Sequence, residues 1–104
     1  MINKKLQHIV LIQFKADLKE ATFAAIQVAA MTLNQIEGVN DLQFSENVSP
    51  ENLHQGYTHS LTLWFPSTQN RDEVYLPHPI HQDFVSLFVP HTEKVLVFDY
   101  WAVN

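Results

Sequence analysis

The sequence predicts an α+β fold built on a four-stranded antiparallel sheet, and three observations carry that prediction. Four short runs rich in apolar and β-branched residues alternate with two stretches of helical apolar spacing, in the order β-α-β-β-α-β. Only 2 glycines and 5 prolines interrupt 104 residues, so most of the chain is expected to be regular structure. The composition is 46% hydrophobic and 16% charged, which suits a packed core and argues against disorder. This is the ferredoxin-like split βαβ order, and residues 1–104 read as one small domain.

Each element has its own signal. His8 to Phe14 is short and nearly all apolar, the mark of a strand covered on both faces. Leu18 to Ile36 repeats apolar residues at helical spacing, and Gly38 is expected to cap its C-terminus. Val39 to Val48 alternates, with Leu42 and Phe44 set against Asp41 and Gln43, so one face of this strand is wetter. Ser49 to Gly56 has turn composition, and Tyr57 to Phe65 is a third strand. A short helix is expected over Arg71 to Leu76. A second longer one spans Pro79 to Val89, with Pro79 in its first turn. Val95 to Trp101 is the last strand, again apolar on both faces.

Helices in this topology cover one sheet face. The first and last strands are apolar on both, so something else must cover the second face. A second copy of the same sheet is the simplest cover, which predicts a two-fold homodimer with the sheets face to face, an α/β barrel.

Charge and residue content exclude several functions. Lys and Arg number 6 against 11 Asp and Glu, a formal charge of −5, and no basic cluster exceeds Lys4-Lys5. Nucleic-acid binding needs grouped cations to neutralise phosphates, so none is expected. With no cysteine, disulfides, thiol catalysis and cysteine-based metal sites are ruled out. The N-terminal stretch faintly resembles a secretory leader. Its apolar run is short, broken by Gln13 and lacks a small-residue cleavage site, so it reads as the first strand. No segment is long enough to span a membrane, and the expected location is the cytoplasm.

Candidate chemistry concentrates in Tyr75-Leu76-Pro77-His78-Pro79-Ile80-His81. On a helical wheel Ile80, Phe84, Leu87 and Phe88 form the apolar stripe, and His81 falls within roughly 20° of Phe88. His81 is therefore expected at the stripe's edge, partly buried. His78 precedes a proline, is pushed to extended geometry, and is expected to be mainly an exposed boundary residue. Strand parity puts His8 on one face with Val10, Ile12 and Phe14. It puts His59 with Leu61, Leu63 and Phe65, and Asp99 with Val95, Val97 and Trp101. Asp99 and Trp101 are read as dimer-contact or structural residues.

Four segments, His8–Lys15, Asn47–His59, Tyr75–Val85 and Val95–Tyr100, resemble in order and spacing those of the stress-responsive A/B-barrel (Dabb) proteins, over roughly residues 6–101. The resemblance implies a dimeric α+β barrel of ferredoxin-like protomers. It also implies a site, because a plant polyketide cyclase that shares the domain works with a tyrosine and a histidine. Those positions match Tyr75 and His81. Family histidines also match His8, His59 and His78. A pocket between sheet and helices would be lined by Val10, Ile12, Leu42, Leu61, Phe84, Val95 and Val97, with His8 and His59 orienting a ligand.

Three readings of these residues stay open. In the first, His81 is a general base and Tyr75 donates to a carbonyl or enolate oxygen of a small, mostly apolar carbonyl compound, with no cofactor. In the second, the barrel is a stress-associated structural or ligand-binding protein and the same side chains only satisfy their neighbours. The third is a metal site at His78 and His81. It lacks the helical His-Glu-His spacing of zinc hydrolases and any nearby carboxylate cluster, so no metal is assigned.

Overall fold

The computed structural model describes residues 4–103. Met1 to Asn3 and Asn104, the ends of the expected domain and part of the leader-like stretch, lie outside the described residues. The order is β1 (Lys4–Phe14), α1 (Glu20–Thr32), β2 (Asn40–Glu46), β3 (His59–Phe65), α2 (Pro79–Phe88) and β4 (Thr92–Val103). The four strands form one sheet in the order β2-β3-β1-β4, with every neighbouring pair antiparallel. The expected ferredoxin-like α+β architecture is present.

Both helices lie on one face. Leu6, Val10 and Ile12 of β1 and Leu61, Leu63 and Phe65 of β3 point toward them and are buried. Ile26 and Ala30 of α1, Leu33 beyond it, and Phe84 and Phe88 of α2 close the same core. The register explains this division, since His8 pairs with Leu63 and Asp99, and Val10 with Leu61 and Val97. These residues share a face because successive side chains alternate across a strand. The other face carries Ile9 and Leu11 beside Leu96, Phe98 and Tyr100. Among the described residues no element covers it, and Phe98 is 58% exposed.

The first and last strands run further than their apolar runs suggest. β1 and β4 pair continuously from Lys4↔Val103 to Gln13↔Lys94, then shift register at Phe14. Backbone pairing extends them through Lys4, Lys5, Thr92 and Lys94, polar residues at the sheet's ends. The expected cap at Gly38 is also moved. α1 ends at Thr32, a 3₁₀ turn covers Leu33–Gln35, and Ile36 is already extended at φ −79° and ψ 129°. Gly38 instead sits in the turn into β2 with φ +90°, a region open mainly to glycine.

The segment expected as a short helix is a π-helical turn, Asn70–Tyr75, closed by Leu76 N donating to Arg71 O at 2.9 Å. Asn70 fastens it to the Gly38 turn. Its Nδ2 donates to Glu37 O at 3.0 Å, its backbone N–H donates to Ser67 Oγ, and its side chain packs where a Cβ on Gly38 would stand. Single π turns recur at functional sites, and this one carries Tyr75.

Candidate functional site

A cavity of about 270 Å³ opens between the sheet and α2. Its polar contributors are His8, Tyr75 and His81, and its walls include Val10, Leu61, Phe84, Val95 and Val97. Eight of the eleven residues singled out from the sequence therefore meet in one place. Ile12, Leu42 and His59 do not. Ile12 is fully buried in the core, and Leu42 packs against the core from the edge strand. His59 pairs with Ile12, four residues along β1 from His8, and so lies toward the other end of the sheet.

Three elements place the polar groups. β1 supplies His8 by parity. The π turn brings in Tyr75, which is 1% exposed. α2 supplies His81 on its third residue, after a stiff entry in which Pro79 occupies the first turn. The N-cap is His78, whose Nδ1 accepts from Ile80 N at 3.1 Å. His78 is thus half-buried and structural rather than exposed, because an extended residue before proline has its ring free to reach an unpaired helix N–H. The rings form a row. Tyr75 lies 4.5 Å from His81 and 5.8 Å from His8 between centroids, and His8 lies 5.6 Å from Phe65.

The proton positions follow from the partners. His81 Nδ1 lies 3.0 Å from Leu76 O. A carbonyl can only accept, so Nδ1 carries the hydrogen and Nε2 keeps its lone pair. Burial holds His81 below the ordinary histidine range; the Leu76 bond opposes that shift, and the neighbouring His8 adds to it. A neutral imidazole with a free Nε2 is what a general base requires. Burial pushes the Tyr75 phenol well up, and the Asp99 charge adds to the push. Tyr75 therefore stays protonated and can donate a hydrogen bond, but does not serve as a phenolate base.

Two residues outside the predicted site set hold His8 from behind the cavity. His8 Nδ1 lies 2.6 Å from Asp99 Oδ1, and Arg71 Nη1 donates to Asp99 Oδ2 at 3.1 Å. Asp99 thus joins β4 to β1 and the π turn, which is compatible with the structural half of the role expected for it. Trp101 pairs with Leu6 and is 45% exposed. A signal for Asp99 was present: a lone carboxylate inside Val-Leu-Val-Phe-Asp-Tyr-Trp needs a cationic or hydrogen-bonding partner, but that the partner is His8 follows only from the observed register of β1 and β4. Arg71 gave no signal, since its reach depends on the π turn.

His59 has a different setting. Phe14, Phe23 and Phe44 surround its ring at centroid distances of 5.2, 5.1 and 5.9 Å, and its Nδ1 lies 2.8 Å from Thr58 Oγ1. Burial holds it below the ordinary histidine range, partly offset by Glu46. A larger open hollow of about 410 Å³ lies beside it, against the 47–58 loop. The hollow also gathers a tyrosine and two imidazoles, Tyr57, His54 and His59, but it is open and its His54 is exposed. The smaller cavity under α2 is the stronger candidate because its Tyr75 and His8 are buried among largely apolar walls. Among the described residues no group of three or more His, Asp or Glu is arranged to hold a metal. No described helix is long and apolar enough to cross a membrane.

A four-stranded antiparallel sheet in the order β2-β3-β1-β4 with both helices on one face belongs to the ferredoxin-like class of α+β domains. Residues 6–102 match the stress responsive A/B barrel domain, and the chain belongs to that Dabb family. It is 38% identical over 95 residues to the stress-response A/B barrel domain-containing protein HS1 of Arabidopsis thaliana, covering 90% of this chain and 86% of that protein. It is 30% identical over 95 residues to olivetolic acid cyclase of Cannabis sativa, covering 90% of this chain and 93% of the cyclase. Among solved structures, a Dabb protein with a ferredoxin-like fold from Mesorhizobium loti superposes with a TM-score of 0.79 at 25% identity, covering 97% of this chain and 99% of that one. A dimeric ferredoxin-like protein from Thermobifida fusca gives 0.82 at 13% identity, covering 96% and 92%, and speaks to the fold alone.

Proposed function

We propose that this chain, acting as one Dabb domain, is a homodimeric barrel protein that binds a small, mostly apolar carbonyl compound and performs cofactor-independent acid–base chemistry on it. The observation that carries the reading is the convergence of Tyr75 and His81 on one largely apolar cavity, with the proton on opposite roles: Tyr75 donates and His81 Nε2 accepts. In the proposed step His81 Nε2 takes a proton from the carbon next to the carbonyl. That C–H electron pair becomes the enolate double bond, and the Tyr75 hydroxyl donates to the oxygen that gains charge. The resemblance to olivetolic acid cyclase supports a cyclase-like use of such an enolate. The uncovered apolar face, with Leu96, Phe98 and Tyr100, supports pairing with a second copy. The chain's compartment in this reading is the cytoplasm.

The test is α-proton exchange of propiophenone in deuterium oxide, followed by NMR. Exchange above the buffer rate is expected, and His81→Ala is expected to lower it roughly 10²-fold. Wild-type protein that exchanges no faster than His81→Ala would overturn the catalytic reading. The mostly apolar walls favour a second reading in that case, a binding protein without turnover, which saturable shifts of the propiophenone signals would support.

A further inference from the structure

We propose that Asp99 and Arg71 fix His8 as a hydrogen-bond acceptor in the cavity, so that the site selects carbonyl compounds that also bear a hydroxyl group. This rests on the ligand-binding part of the function proposed above and adds the class of ligand. In the reading of Tyr75 and His81, Asp99 only adds its charge to the shift at Tyr75 and Arg71 has no part, yet Asp99 is bonded directly to the His8 imidazole and Arg71 to Asp99.

The geometry runs in one direction. Arg71 comes from the π turn and places Nη1 3.1 Å from Asp99 Oδ2, while its Nε donates to Asp72 Oδ1 at 2.8 Å. The guanidinium has only donors, so Asp99 is held as an acceptor. Asp99 Oδ1 then takes the hydrogen of His8 Nδ1 at 2.6 Å. A neutral imidazole with its hydrogen on Nδ1 has a lone pair on Nε2. His8 is 5% exposed and lines the cavity, so that lone pair belongs to the ligand space and not to bulk water.

The cavity then offers one donor, Tyr75, and two acceptors, His8 and His81. A plain ketone can satisfy only the donor. A buried acceptor left unpaired by a ligand costs binding, and a ligand hydroxyl that fills it gains by the same difference. The matching ligand has a carbonyl for Tyr75 and a hydroxyl for His8, as in a hydroxyaryl ketone.

The experiment compares binding of propiophenone with its three ring-hydroxylated isomers, measured by NMR titration, alongside the ¹⁵N shifts of His8. Wild-type protein is expected to show the His8 hydrogen on Nδ1 and to bind at least one isomer about tenfold more tightly than propiophenone. Asp99→Asn offers an amide N–H to Nδ1 and is expected to move the ring hydrogen to Nε2 and weaken the preference, because the ligand hydroxyl would then have to accept through a phenolic oxygen instead of donating. Arg71→Gln should reduce the preference, and Asp99→Glu should restore part of it. A merely structural Asp99 would lower stability in Asp99→Asn without changing the ratio of affinities or the tautomer. Equal affinity for all four compounds, an unchanged preference in Asp99→Asn, or no binding of any of them would each overturn the inference. Hydroxyl preference without α-proton exchange would leave it standing while removing the catalytic reading.

Discussion

At the scale of single residues, the site works by setting proton positions through partners with one possible role. The Leu76 carbonyl makes His81 an acceptor at Nε2, and burial keeps Tyr75 a donor. Tyr75→Phe should therefore keep the aromatic packing against Phe65 and His81 while cutting propiophenone exchange by roughly 10-fold or more. Circular dichroism melting should show little change, which separates a lost hydrogen bond from a disturbed core. Legibility at this scale was uneven for a physical reason. Period-2 and period-3.6 patterns locate a residue on a face, which put His81 at the edge of the buried stripe of α2, whereas Tyr75 and His8 entered the site through the family resemblance because parity alone does not say which sheet face meets the helices. Such patterns do not report depth along the sheet, and His59, on the correct face, fell at the far end among three phenylalanines. That placement has its own consequence. His59 and His81 are both held below the ordinary value of 6.5, so the folded state binds fewer protons than the unfolded state just below it. Their contribution to stability is full above about pH 6.5 and is lost as pH falls through the folded values. Urea midpoints should drop across that window, and the drop should be shallower in His59→Gln. A flat profile in the wild type would contradict it.

At the scale of elements, strand and helix order could be read because hydrophobic period is a local property. Boundaries and unusual turns could not. β4 extends to Val103 because it has β1 to pair with, and that pairing is non-local. The π turn depends on Asn70 reaching the backbone of Glu37, 33 residues away. Gly38 shows the coupling most directly, since both its positive φ and the Asn70 side chain against it exclude a Cβ. Gly38→Ala should destabilise the fold by roughly 1–3 kcal/mol in chemical denaturation. A second change, Asn70→Ala, should recover only part, because it relieves the clash and leaves the strained backbone. Full recovery would show that φ at this turn costs little.

At the scale of the whole molecule, the sheet has one packed face and one bare face, and the bare one is as apolar as the run Val95–Trp101 suggested. Phe98→Asp puts a charge at its centre and should convert a dimer into a monomer in analytical ultracentrifugation, with the far-ultraviolet spectrum retained. A wild-type monomer at high micromolar concentration would remove the barrel assembly. β1 sits between β3 and β4 and takes part in both halves of the design. His8 and Val10 face the cavity, while Ile9 and Leu11 face outward. A one-residue insertion early in β1 would exchange these sets, moving Ile9 into the chemistry and His8 onto the pairing surface. Ligand recognition and self-recognition are thus written in alternate letters of one strand. Substitution can alter them one at a time, whereas an insertion or deletion there must lose both.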